Sequence, residues 1–447
     1  MEGIKLVQIG DCLVSDDPNV IFETCLGSCV GVAIYDPQRR IGGMCHILLP
    51  DGPAEKKQTH PAAYATTAIP FLLNAFEELG GERKTATTAI AGGASIMTKN
   101  TGTDLKIGQR NLLAVMEGLR QANVKVSYQH VAGNLGRVMR LYMRNGQIHV
   151  RTSRMPTSEE AGRQIDEQWN ANTLRASILQ NAEDLKPSSN VAIRALQLTN
   201  GEDTNISELE QLILQDQVLA ANMLKEANSA YYGLSRQVHN LSQAIAYLGM
   251  RTFKKIVMDT CLLDIYDRRI ATYDMEEGAF FHHSVTCARI SEAIAKVIGY
   301  SDPETAYLAG LMHDIGKIVI ERYGMDMFTQ VTSRVLLKNQ TFVQAEKEVF
   351  GLDHAAIGQY IAHNWQLPAE LEEAIGFHHE PENINAISPL PCIIHLANHI
   401  CNIAGIGLSN DSMNNELSQR AITALGLDER TIEDILAAVP RIIHTHL

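Results

Sequence analysis

No stretch of the 447 residues supplies the roughly 20 consecutive apolar side chains of a membrane-spanning helix. The first residues, MEGIKLVQIGD, lack the cation-flanked apolar core of a secretory leader, so the expected location is the cytoplasm. Cysteine is sparse. Eight in the whole chain are too dilute for a disulfide framework. No two are spaced Cys-x-x-Cys, which argues against zinc knuckles and thioredoxin-type chemistry. Clustered cations are also missing from most of the chain. Residues 1–155 hold 17 Lys and Arg against 13 Asp and Glu, a net of +4. The remainder holds 21 against 38, a net of −17, which excludes broad nucleic-acid binding there because phosphate contacts need grouped cations. What is present is ordinary for a folded protein: 45% apolar and 20% charged residues, in a length that suggests two or three domains.

The first 150 residues mix strand and helix signals. VGVAIYD (30–36) and IGGMCHILLP (41–50) read as strands around the turn Asp36-Pro37-Gln38-Arg39. Apolar spacing predicts helices over 62–79 and 108–122. Residues 89–94 read as a strand entering a glycine turn, and three further strands are expected between 123 and 153. The sum is a layered α/β domain over 1–155. A polar linker, 156–180, turns helical. Helical periodicity then dominates 181–403, with no sheet of consequence, and 404–447 reads as a helical tail.

Within the first domain, Leu26-Gly27-Ser28-Cys29-Val30 delivers a cysteine from a small turn to the start of a strand. A tight turn centred on Pro37-Gln38 would set Cys29 directly opposite His46, with Cβ atoms about 4.5–5.5 Å apart. That separation suits an imidazole drawing a proton from a thiol. Because Pro37 cannot take positive φ, a bulged turn that shifts the register by one is the alternative. The competing reading is a buried cysteine beside an unrelated histidine, the role expected of Cys12, Cys25 and Cys45.

Thr24-Cys25-Leu26-Gly27-Ser28-Cys29-Val30-Gly31-Val32, Tyr35-Asp36-Pro37, His46 and Leu49-Pro50 together resemble the CheD family of chemoreceptor glutamine deamidases. Gly92-Gly93-Ala94, Ile107-Gly108, Arg110-Asn111 and Gly133-Asn134-Leu135-Gly136-Arg137 extend the likeness. The resemblance implies hydrolysis of receptor glutamines to glutamates by a Cys–His–Thr set that needs no cofactor. Cys29 matches the nucleophile and His46 the base. The family's threonine position falls on Glu23 when aligned without gaps, with Thr24 next to it, and either could orient the imidazole. Being neighbours in a strand, they face opposite sides. Backbone N–H groups of Gly27, Ser28 and Cys29 are the expected oxyanion donors. The partners implied are methyl-accepting chemoreceptors and a CheC-type phosphatase. Ala89 and Ala91 stand where relatives carry Lys and Phe, and His130 and Ala132 where Asp and Gly are common.

Nine of the 16 histidines lie between 282 and 399. Imidazoles with a carboxylate suit Fe, Mn or Zn. The ordered set His283, His313-Asp314, His354 and His378-His379 outweighs a lone His-Asp pair. Asn228-Ser229-Ala230, Tyr232-Gly233, the run Gly310 to Lys317, Trp365 and Leu367-Pro368 resemble the HDOD family of HD-related output domains. By that resemblance the six residues are candidate metal ligands, and Lys317 matches the lysine that follows HD in active phosphodiesterases. Two departures count against turnover. The closing aspartate falls on Asn398, and the GYP segment of cyclic-di-GMP phosphodiesterases is missing after His379. With an amide in place of a carboxylate, at most one divalent cation is expected.

The leading expectation is therefore a cytoplasmic chemoreceptor glutamine deamidase fused to a helical signalling domain. The alternatives are a metal-dependent HD-type phosphohydrolase with a degenerate CheD targeting domain, and a non-catalytic scaffold.

Overall fold

The computed structural model describes the chain except residues 1–2, 95–105, 134, 153–170, 186–193, 196–197, 199–205, 216, 229–237, 267, 339, 385–387, 408, 410, 412–416 and 445–447. Most of the expected linker, and the motif residues Asn134, Ser229, Ala230, Tyr232 and Gly233, lie outside the described residues. The chain forms two compact units. The expected tail is divided between them: His399–Gln419 and Asp428–Pro440 belong with Met1–Met155, the rest with the second unit.

The first unit stacks two sheets and a helical layer. One sheet has the order β1-β3-β8-β9, with β1 Gly3–Leu6, β3 Val20–Leu26, β8 Arg137–Tyr142 and β9 Gln147–Thr152. The other has the order β2-β5-β4-β6-β7, with β2 Cys12–Ser15, β4 Val30–Asp36, β5 Ile41–Ile47, β6 Thr87–Gly92 and β7 Tyr128–Val131. Strand β4 is β-branched, apolar and buried along its whole length, as a strand covered on both faces must be. Its even-numbered residues Val30, Val32 and Ile34 pack with Cys45, Ile47 and Ile90 against helices α2 (Ala65–Glu78) and α3 (Ile107–Gln121). The opposite face meets the other sheet: a Cβ on Gly31 would touch Leu26 and Met139. Strands β1 and β2, and the short helix α1 (Ala54–Thr59), had no clear signal in the sequence.

The β4–β5 register differs from the expected one. Asp36 pairs with Ile41, and Gly31, not Cys29, lies opposite His46. The reason is the loop: Arg40 takes a left-handed φ of 56° and its N–H reaches Asp36 O, so four residues, not two, make the turn. The shift moves His46 by two positions along its partner, to Gly31.

The second unit is helical; among its described residues an isolated bridge, Ile270 to Met275, is the extent of strand pairing. Helix Pro303–Met312 starts at an Asp302 cap and leads directly into His313 and Asp314. Helix His354–Asn364 starts at an Asp353 cap, so His354 is its first residue. Gly316 lets the two meet, because a Cβ there would lie 2.0 Å from His354 O.

Gly92 closes β6 onto the Cys29 turn with a φ of 103°, and a Cβ there would stand 2.1 Å from Cys29 O. Gly92→Ala is expected to cost about 1–3 kcal/mol, as strained backbone positions do. Gly3→Ala, with open space around it, is the control. Urea denaturation followed at the first unit checks this by the midpoint shift.

Candidate active site and metal centre

The turn Gly27-Ser28-Cys29 is held by all three of its carbonyls. Ala94 N–H donates to Gly27 O (3.0 Å) and Gly93 N–H to Cys29 O (2.7 Å). The buried Asn111 amide donates to Ser28 O (3.1 Å) and to Leu48 O (2.7 Å), tying the turn to the end of β5. With the acceptors pinned inward, the Ser28 N–H is left to point at whatever lies over Cys29. It donates to Ile403 O at 3.0 Å. Cys29 is fully buried, which pushes its thiol pKa well above the ordinary value.

His46 is 2% exposed and meets Thr24, which crosses from the other sheet. Thr24 Oγ1 donates to Val7 O at 2.8 Å. Its single proton is thereby used, so at the 2.7 Å contact with His46 Nδ1 it must accept. The imidazole is therefore the Nδ1–H tautomer, and Nε2 carries the lone pair with no hydrogen-bond partner. Burial pushes the His46 pKa down to about 4, which keeps the ring neutral. The structure thus brings Thr24 to His46. Glu23 turns the other way and pairs with Arg140. Cys29 immediately precedes β4, whose second residue, Gly31, lies opposite His46.

In the second unit, Asp314 is the hub of six buried or half-buried ligand-type side chains. Its Oδ2 lies 3.2 Å from His313 Nε2 and 3.5 Å from His283 Nε2. Its Oδ1 lies 3.4 Å from His354 Nε2 and 3.8 Å from His378 Nε2. His379 Nε2 is 2.9 Å from His354 Nε2. Three of the five rings are oriented from behind: His313 Nδ1–H donates to Gly310 O, His378 Nδ1–H to Ile375 O, and His354 Nδ1–H to Glu346, each at 2.7 Å. That arrangement presents these three Nε2 atoms inward, the usual support of a metal-binding histidine. Asp314 Oδ1 and the Nε2 atoms of His313 and His378 are buried without a hydrogen-bond partner, so this donor set fits a cation. Burial, with the neighbouring imidazoles, holds His378 and His379 well below the ordinary pKa, in the neutral ligand form. Burial works against charge at Asp314, and His313 and Lys317 overcome it, holding the carboxyl well below its ordinary range. Lys317 Nζ sits 2.5 Å from Oδ2, a cation already in place on that side. Asn398 is buried on helix Pro389–Ala404.

A family model described as CheD chemotactic sensory transduction matches residues 48–152, and one described as HDOD domain matches residues 185–381. The "Probable chemoreceptor glutamine deamidase CheD" of Clostridium acetobutylicum is 37% identical over 154 residues, covering 34% of this chain and 93% of that protein. The chain belongs to the CheD family. The protein of the same name from Desulforamulus reducens is 38% identical over 161 residues, 35% of this chain and 95% of its own length. Behind the CheD domain is a fused HDOD domain. Among solved structures, an HDOD domain protein from Geobacter sulfurreducens is 24% identical, with TM-score 0.44, over 61% of this chain and 99% of its own. A "Putative signal transduction protein" from Marinobacter aquaeolei VT8 is 15% identical, with TM-score 0.51, over 97% of this chain and 94% of its own. No helix among the described residues is long and apolar enough to cross a membrane.

Two supporting residues escaped the sequence reading. Asn111 lay inside a quoted CheD motif, but nothing local connects it to Cys29. Glu346, buried and bonded to Tyr273 as well as His354, sits on another helix and leaves no sequence signal. His46 gives a pH test. The unfolded chain takes a proton near the ordinary 6.5 and the folded chain at about 4. Stability from this group is full above pH 6.5 and falls by about 3 kcal/mol as pH drops toward 4. In denaturation curves between pH 7 and 4, wild type should lose that much more than His46→Gln; parallel losses would contradict burial of the neutral ring.

Proposed function

We propose that the CheD domain deamidates glutamine side chains of chemoreceptors, with Cys29 as nucleophile, His46 as base and Thr24 as the residue that orients the base. The observation that carries this reading is the Thr24–His46 hydrogen bond, which fixes the tautomer and leaves His46 a bare Nε2. His46 Nε2 takes the thiol proton, and the thiolate adds to the glutamine carbonyl carbon. The Ser28 N–H, held outward by the pinned turn, stabilises the oxyanion. His46 returns the proton to the departing ammonia, leaving a thioester. Water, deprotonated by the same imidazole, releases glutamate and restores the thiol. The names of the CheD relatives support the substrate class, and the reaction needs no cofactor.

Cys29→Ala should abolish conversion of receptor glutamine to glutamate, whereas Cys25→Ala and Cys45→Ala retain most of it. Loss of the ring's orientation costs orders of magnitude in related triads, so Thr24→Val should lower the rate at least about 100-fold. Glu23→Gln should change it little. The gain of 1 Da per deamidated site, read by mass spectrometry on receptor cytoplasmic fragments, measures all five; equal losses in the Thr24 and Glu23 variants would overturn the orienting role.

The second unit supports a further reading on its own observation, the inward-facing ligand atoms without partners. Asp314, through Oδ1, with His354, His378 and His379 would hold one divalent cation, Fe, Mn or Zn. When bound, such an ion supplies Lewis acidity. His283 and His313 face the other carboxylate oxygen, where the Lys317 ammonium repels a second ion. With Asn398 and no GYP segment, a regulatory domain fits better than a phosphohydrolase. Elemental analysis should find no more than one metal per chain, less in His378→Ala and more in Lys317→Met. Two metals in the unaltered protein would defeat the charge argument.

A further inference from the structure

Helix Pro389–Ala404 ends against the Cys29 turn, and the way it ends is unusual. A helix leaves its last four carbonyls without intrahelical partners. Here Gly405, at φ 76°, reverses the chain, so that Ile406 N–H reaches Cys401 O (2.9 Å) and Gly405 N–H reaches Asn402 O (3.2 Å). Two of the four carbonyls are thereby satisfied. The other two are satisfied by the nucleophile and its turn. Ile403 O accepts from Ser28 N–H at 3.0 Å, from Ser28 Oγ at 2.9 Å and from Cys29 Sγ at 3.7 Å. Ala404 O accepts from Cys29 Sγ at 3.6 Å. These residues are counted in the first unit, with the segment Asp428–Pro440. That segment is itself fastened there by Arg110 to Glu433 (2.6 Å) and Lys56 to Asp434 (3.1 Å).

We propose that residues 403–405 are an inhibitory plug, in which a backbone carbonyl of the chain's own helix end occupies the place of the substrate amide carbonyl. This inference rests on the deamidase reading for what the plug excludes, not for its geometry. The plug takes all that catalysis requires at once. It uses the Ser28 N–H that an oxyanion would need. It holds the thiol proton on Ile403 and Ala404 carbonyls, away from the His46 Nε2 that has no partner. It also leaves Cys29 with no exposed surface, so no glutamine side chain can reach it. Burial beneath the plug accounts for a thiol that stays protonated, the opposite of an activated nucleophile. Gly405 is what lets the helix end come so close, because a Cβ there would stand 2.7 Å from Cys25 O and 3.0 Å from Gly27 N. Activity then requires the helix end to withdraw, exposing a turn that is already pinned from behind.

The test uses the full-length chain and reads the rate of Cys29 alkylation by iodoacetamide, peptide by peptide, with buried Cys45 as the folding control. Gly405→Val drives a side chain into Cys25 O and Gly27 N; it should speed Cys29 alkylation about tenfold or more without speeding Cys45, as local opening does. Glu433→Arg combined with Asp434→Lys, on the surface, should give a smaller gain of a few fold by repelling Arg110 and Lys56. If Gly405→Val also exposes Cys45, the charge-reversal variant alone decides. Unchanged Cys29 alkylation in the deciding variant overturns the plug. Deamidation of receptor fragments is measured in parallel. Faster alkylation with faster deamidation upholds both readings, and faster alkylation with no deamidation in any variant upholds the plug while the deamidase reading fails.

Discussion

The first unit depends on one constraint: three consecutive carbonyls, those of Gly27, Ser28 and Cys29, are bonded to groups behind them. A turn with its acceptors tied down has only its N–H groups and its side chains to present. That asymmetry creates an electropositive spot beside a thiol before any substrate arrives. The donors come from separate places, the β6 glycine turn and helix α3, so the sandwich and the helical layer both stand behind the same three residues. The bare Nε2 of His46 has a similar origin, since the Thr24 hydroxyl has one proton and Val7 O takes it.

The second unit is organised around the opposite problem, a buried carboxylate. Asp314 is fully buried, and an unpaired charge there would be costly. Lys317 and His313 offset it on one oxygen. The other oxygen faces His354 and His378, whose Nδ1 protons are committed to the Glu346 carboxylate and the Ile375 carbonyl. A polar cluster assembled this way could hold a cation.

Both units therefore show sites whose orienting groups are in place while their reactive atoms are engaged elsewhere or unpartnered. In the CheD domain the engagement is by the chain itself, through carbonyls that a helix always leaves over at its C-terminus. The same feature that makes a helix end need a partner makes it a mimic of an amide substrate. Ala132 is a smaller instance of local cost. It holds a left-handed φ of 62° at a position where the CheD pattern has glycine, and its carbonyl is gripped by Arg137.

Local chemistry was legible in the residues alone. The layered α/β and all-helical halves and the ordered histidines with Asp314 follow from patterns that neighbours in sequence create: alternation, helical spacing, adjacent ligands. The choice between Glu23 and Thr24 was not, because it depends on which face of β3 meets the second sheet. Nor was the β4–β5 register, which a left-handed Arg40 lengthened by two residues. Asn111 and Glu346 act across 83 and 8 residues on other elements, and Ile403 reaches Ser28 across 375. Sequence by itself determined which groups could react. Tertiary structure decided which of them meet, because a hydrogen bond is set by distance and direction in space, and separation along the chain constrains neither.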